Sequence, residues 1–180
     1  MANNFIEGAL LGTGKYYRLC CGDNPEPKDM LVYLFKLMGK ADIVIPIQKQ
    51  SEVDGKSFYR RKISNAFTFL VRVISGYDFE YFNGLPLYLR YNVLRWPPVS
   101  QGFGFQAEAI TRMLDEGASY VKIDKWGDIE RKGRKSTALT MRNFLGVAHA
   151  LLEIGIRRLR KILLGKKLPK AVEIKLGEKD

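Results

Sequence analysis

The run Ala41-Asp-Ile-Val-Ile-Pro-Ile47 is short and almost wholly apolar, and polar or turn-forming residues bound it on both sides. A strand of this kind is buried on both faces, which is the habit of strands lying parallel inside a helix-covered sheet. No other segment constrains the fold as much. It follows Lys28–Met38 (KDMLVYLFKLM), whose apolar residues recur at helical spacing up to a stop at Gly39. Earlier still, Lys15–Cys21 alternates and runs apolar as a strand, breaking at Gly22-Asp23-Asn24-Pro25, and residues 3–12 read as a helix ending in Gly-Thr-Gly. The chain thus opens with helix, strand, helix, strand.

The remainder continues this alternation. Ser57–Ile74 reads as a helix stopped by Gly76, and Phe79–Leu89 as a strand interrupted at Asn83-Gly84-Leu85-Pro86. Phe105–Glu116 is an amphipathic helix closed by Gly117, Tyr120–Lys125 an alternating strand, and Thr137–Leu164 a long helix. The expected fold is an α/β layered domain with a mixed sheet flanked by helices. Its expected organisation is a core over 1–136, an amphipathic basic helix over 137–165 and a mobile basic tail over 166–180, with no internal repeat.

At 180 residues, 46% hydrophobic and 12% aromatic, the chain can build a core, which excludes a disordered tail. Cys20 and Cys21 are adjacent, so they cannot make an ordinary disulfide across the fold; their apolar context reads as buried, and a reducing compartment follows. The first residues, Met1-Ala-Asn-Asn-Phe, lack the basic start and apolar stretch of a secretory signal. The apolar run Phe144–Leu152 has nine residues, against the ~20 needed to span a bilayer. A soluble or membrane-surface protein is expected.

The net charge of +11 is localised. Residues 131–170 hold twelve Lys/Arg and one acid, Glu153, whereas the rest of the chain holds 18 basic and 18 acidic residues and balances. Such a surplus points to a phosphate-bearing partner or an anionic membrane surface, with nucleic acid as the less favoured reading in the absence of a nucleic-acid motif. The long helix interleaves apolar residues with Arg142, Arg157, Arg158, Arg160 and Lys161, and Lys166, Lys167 and Lys170 follow. These cations are expected to face an anionic bilayer, at about 1 kcal/mol each. The only histidine, His149, lies in an apolar stretch and reads as a packed residue; one histidine and two adjacent cysteines supply neither a catalytic triad nor a zinc site.

The densest group is Glu130-Arg-Lys-Gly-Arg-Lys-Ser136, with four cations, a glycine and a hydroxyl in seven residues. By itself it reads equally as an exposed basic turn with Ser136 as helix N-cap. The order GTGKYYRLCCGDN, ADIVIPI, RRKIS, YFNG, GFGFQAE, ERKGRKS and MRNFLGVAHALLEI, over roughly residues 3–155, resembles the family 2 glycosyltransferases. Within them it is most similar to the dolichyl- and polyprenyl-phosphate sugar transferases.

That resemblance implies a GT-A fold and an inverting transfer of sugar from a nucleotide-sugar donor to a polyprenyl-phosphate or related acceptor. It also implies a peripheral location at the cytoplasmic face of the inner membrane. It places Asp23, with Asn24 as a further oxygen ligand, where the family holds Mg²⁺ or Mn²⁺, although the family's first acidic position is here Cys21. It places Arg131, Arg134, Lys135 and Ser136 over the leaving diphosphate, Arg60, Arg61 and Ser64 beside the acceptor phosphate, and Asn83, Gly84, Gln106 and Glu108 on the acceptor side. As the residues stand, Gly-Asp-Asn-Pro is also a plain turn, Arg60-Arg61 a solvated helix face, and Glu108 an ordinary first-turn acid. In that family further strands that hold the nucleoside precede this point. The chain is therefore expected to be a C-terminal fragment, one half of a split enzyme whose other half is a separate chain, or a degenerate copy that does not catalyse and serves as a membrane-surface or partner-binding module.

Overall fold

The computed structural model describes residues 2–20, 22, 26–47, 58–80, 82–123, 140–165 and 171–176, with the backbone alone at 58–60 and 142. Among these residues the chain is α/β: a five-stranded mixed sheet flanked by six α-helices. In chain order the elements are α1 (Ala2–Leu11), β1 (Tyr16–Arg18), α2 (Lys28–Lys36), β2 (Ile43–Pro46), α3 (Phe58–Ser75), β3 (Leu87–Leu89), α4 (Arg90–Arg95), α5 (Phe105–Asp115), β4 (Ser119–Ile123), α6 (Met141–Leu163) and β5 (Val172–Glu173). A 3₁₀ turn, Gly102–Gly104, leads into α5.

The strand order is β1-β3-β2-β4-β5. β2 is the centre: it runs parallel to β4, Ile43 opposite Tyr120, and antiparallel to β3, Ile43 opposite Tyr88. All four of its residues are buried, as the apolar run demands. Because successive side chains of a strand point to opposite faces, Ile43 and Ile45 enter one core and Val44 the other. The larger core lies on the side of α1, α3, α5 and α6 and holds Phe5, Val71, Phe105, Met113 and Ile154. In it Phe5 packs its ring against Tyr17, Tyr88 and Phe105 at centroid distances of 5.3, 5.5 and 5.4 Å. The smaller core, Leu34, Leu37, Val44, Leu87, Val121 and Ile123, is covered by α2. The stops expected at Gly39, Gly76 and Gly117 hold, with φ of 90°, 70° and 90°, values that residues with a Cβ rarely adopt.

Several expectations are corrected. Of Phe79–Leu89 only Leu87–Leu89 is strand; Phe79 and Phe82 instead pack edge to face at 5.3 Å, and Phe79 meets Tyr120 at 5.2 Å, in a loop. α4 follows β3 without a break and was not expected. The long helix begins at Met141, and its N-cap is Thr140, whose hydroxyl accepts from the Asn143 N–H at 3.3 Å, rather than Ser136. Within the stretch expected to be a mobile tail, Val172–Glu173 pair parallel to β4, and the Ile174 N–H donates to the Tyr120 carbonyl at 2.8 Å; residues 166–170 and 177–180 lie outside the described residues. Cys20 is exposed rather than buried. His149 is not packed either; it lies on the open side of α6, with Nε2 3.4 Å from Glu153.

Candidate functional site

Strands β1, β2 and β4 point the same way and β3 runs against them, so Arg18, Pro46, Ile123 and the start of β3 at Leu87 share one edge of the sheet. In open α/β sheets ligands bind outside the carboxyl ends of the strands. Every phosphate- or metal-directed group read from the sequence follows one of these ends in the chain: Asp23 and Asn24 after β1, Arg60, Arg61 and Ser64 after β2, and Arg131, Arg134, Lys135 and Ser136 after β4. Asn83 and Gly84 directly precede β3. Asp23, Asn24, Arg131, Arg134, Lys135 and Ser136, and the side chain of Arg60, lie outside the described residues. Arg61 is half-buried in the first turn of α3, one turn before Ser64.

Two residues that sequence reasoning passed over organise this edge. Arg18, the last residue of β1, forms an ion pair with Glu26; the side chains are 3% and 5% exposed. Its Nε also donates to the Leu85 carbonyl at 3.0 Å, and a terminal nitrogen lies 3.4 Å from the Cys20 Sγ. One guanidinium thus ties β1 to the approach to α2 and to the loop before β3. It pins both ends of the segment that carries Asp23, although Glu26 is thereby engaged and offers no free carboxylate to a cation. A buried charge must be paired, and a single arginine inside the apolar run YYRLCC was the signal for such a partner.

Gly84 lies so close to β2 that a Cβ would run into the Pro46 carbonyl oxygen. Beside it the Asn83 side-chain oxygen is buried with no hydrogen-bond partner, and so is the Tyr88 hydroxyl, which burial keeps protonated far above the usual phenol range. Gln106 and Glu108, expected on the acceptor side, belong to α5. Glu108 is fully buried and accepts from the Val99 and Ser100 N–H groups at 2.9 and 2.7 Å, with Arg112 at 3.4 Å, so its carboxylate holds the segment that leads to α5. The Gln106 side-chain oxygen is buried without a partner. Among the described residues no three His, Cys, Asp or Glu side chains group as metal ligands.

The basic helix faces differently from expectation. Arg157 Nε donates to Asp115 at 2.8 Å, Arg158 reaches the other oxygen of the same carboxylate at 2.7 Å, and Lys161 bonds Glu116 at 2.7 Å. Asp115 is fully buried at the end of α5 and also accepts from the Tyr77 hydroxyl at 3.1 Å. Burial, with the charge of Asp115, holds that phenol well above its ordinary range. Three of the cations expected at a bilayer therefore fasten α6 to the domain, and an apolar stripe turns outward instead: Phe144, Leu145, Leu152, Ile156, Leu159 and Leu163 are all exposed. No helix among the described residues is long and apolar enough to cross a membrane.

Compared with protein-family models and with curated proteins, the sequence matches none.

Proposed function

We propose that this chain is a GT-A-like sugar-transferase domain, or the C-terminal part of one, that works at a membrane surface on a nucleotide-sugar donor and a polyprenyl-phosphate or related acceptor. The observation that carries the reading is the strand order: the cationic and acidic groups that resemble the family's follow strands ending at one sheet edge, where α/β domains bind phosphates. In the reaction an oxygen of the acceptor phosphate attacks the anomeric carbon, the bond from that carbon to the diphosphate oxygen breaks, and the electron pair leaves with the nucleoside diphosphate. Charge gathers on the leaving diphosphate, and Arg131, Arg134 and Lys135 stabilise it as it forms. Arg60 and Arg61 hold the acceptor phosphate by planar, bidentate contacts. The attacking oxygen is already anionic, so no strong general base is needed. Asp23 and Asn24 are hard oxygen donors of the type Mg²⁺ or Mn²⁺ takes, and such an ion would neutralise the diphosphate.

A second reading, a non-catalytic module bound to a membrane surface, is favoured by the outward apolar stripe of α6. The two are separated by assaying sugar transfer from UDP- and GDP-sugars to a polyprenyl phosphate, alone and with a polypeptide supplying the preceding strands. The double variant Arg131→Ala with Lys135→Ala should abolish transfer without changing the circular dichroism. Turnover that survives the double change would remove the diphosphate role from this loop, and no transfer under any condition would favour the module.

A further inference from the structure

The apolar side of α6 is unusually complete for a helix that also packs on a domain. At 100° per residue, Leu152, Ile156, Leu159 and Leu163 fall on one side, and with Phe144 and Ile162 the exposed apolar sector spans about a third of the circumference. Among the described side chains of α6 no charged one interrupts it. Among the described cations of the helix, Arg157, Arg158 and Lys161 point to the domain and are held by Asp115 and Glu116, and Arg160 is exposed beside the sector. α3 packs beside α6, with Ile74 next to Gly155, and it exposes Leu70 and Val73 in turn. Two neighbouring helices thus present apolar faces to the outside.

We infer that the α3–α6 face is inserted into the hydrocarbon boundary of a lipid bilayer, with both helices lying in the membrane plane, and that this apolar insertion rather than attraction to anionic headgroups holds the protein there. The inference deepens the membrane-surface element of the proposed function and needs no sugar-transfer activity. Three observations select lipid as the occupant. The sector is wider than the narrow seam of a coiled coil and is spread over two helices, which suits a broad apolar medium better than a partner helix. A second copy would bring two chains of +11 together, with the surplus concentrated in the part of the sequence that contains α6. Finally, α6 sets this apolar sector apart from a side that carries Arg157, Arg158, Arg160 and Lys161 and fails as a membrane span, the combination that marks a helix lying in the interface.

The test uses the full chain with vesicles of neutral phosphatidylcholine and vesicles mixed with phosphatidylglycerol, followed by flotation in low and in molar salt. Both kinds should carry the protein, and molar salt should leave it bound to the neutral ones. Leu152→Asp and Ile156→Asp, which alter exposed positions and leave the Asp115 contacts in place, should each lower partitioning roughly tenfold or more. Arg160→Glu, an exposed charge beside the sector, should leave binding to neutral vesicles unchanged. Binding to anionic vesicles alone, with release by salt, would overturn the inference in favour of electrostatics. Absence of vesicle binding would also overturn it; a dimer in light scattering that Leu152→Asp dissociates would then identify a second copy as the occupant, and a monomer would leave a protein partner. Sugar transfer that fails while vesicle binding persists would count against the proposed function alone.

Discussion

Asp115 and Arg157 lie 42 residues apart in the chain and meet through a 2.8 Å charge-assisted hydrogen bond in which the carboxylate is fully buried. With Arg158 on its second oxygen, this carboxylate neutralises one cation and shares its charge with another, and so fixes which side of α6 faces the domain. Removing one partner of a buried pair leaves an uncompensated charge, at about 3–5 kcal/mol. Asp115→Ala should therefore lower the unfolding free energy extracted from urea denaturation by an amount in that range, whereas Glu153→Gln, on the partly exposed contact with His149, should change stability by less than ~0.5 kcal/mol. Equal effects would show that α6 is held by its apolar contacts alone.

Gly84 supplies a sharper test of the sheet edge. A Cβ there meets the backbone carbonyl of Pro46, which cannot swing aside, so Gly84→Ala should cost on the order of 1–3 kcal/mol through overpacking and lower the melting temperature. Gly22 has open space around the same atom, and Gly22→Ala should be close to neutral. A Gly84→Ala protein as stable as Gly22→Ala would mean that the loop before β3 is not seated on β2.

The proposed metal site predicts an asymmetry between two aspartates close in sequence. Asp23→Asn should weaken the Mn²⁺ or Mg²⁺ dependence of transfer strongly, and Asp29→Asn, in the first turn of α2, should leave it nearly unchanged. Equal effects would reduce Asp23 to a turn residue.

The tether of β5 to β4 should respond to pH at both ends of the scale. Tyr120 is pushed up to about 12, first by burial and then by its hydrogen bond to Glu173 and that residue's charge. A phenol whose folded pKa is raised stabilises the folded state fully below the ordinary value near 10 and loses that contribution as pH climbs towards 12. Glu173 is shifted in the opposite direction: burial opposes the shift, but hydrogen bonds from Lys122 and Tyr120 and the lysine charges outweigh it and lower its pKa. Its contribution is present above the ordinary carboxylate range and is lost as pH falls through the lowered value. Amide exchange of Ile174, corrected for the intrinsic rate, should thus be slowest at intermediate pH and speed up at both extremes. A protection factor that stays flat across both ranges would show that backbone pairing alone secures β5.

The legible parts of this fold are those in which a local pattern and a burial pattern coincide. β2 was readable because all of its residues are buried, and α2 and α5 because an amphipathic period ends on a glycine with positive φ. β5 was not, since Val172 and Glu173 are both exposed and backbone bonds to β4 hold them in place. α4 has only six residues, too few to show a period. Periodicity marked α6 as amphipathic, but the expectation that its cations face a bilayer missed which side is held inward, because the deciding partner, Asp115, is remote in sequence. The same limit applies at the sheet edge. The groups that follow the strands could be named from their order, whereas Arg18 and Glu26, which hold the edge together, are intelligible only once β1 and the loop at Leu85 are seen side by side.

The contact between Arg18 and Leu85 has a consequence in time. They are 67 residues apart, and among the described residues β1 pairs with no strand but β3. On a ribosome adding ~5–20 residues per second, Arg18 leaves the tunnel roughly 3–13 s before the carbonyl it will bond. Throughout that interval the Tyr16–Arg18 segment is an aromatic stretch without its strand partner, and its guanidinium lacks one of its acceptors. Nascent chains of this protein therefore pass through a window in which the Tyr16–Arg18 strand is open to chaperones and to neighbouring chains, and it closes only once β3 has emerged.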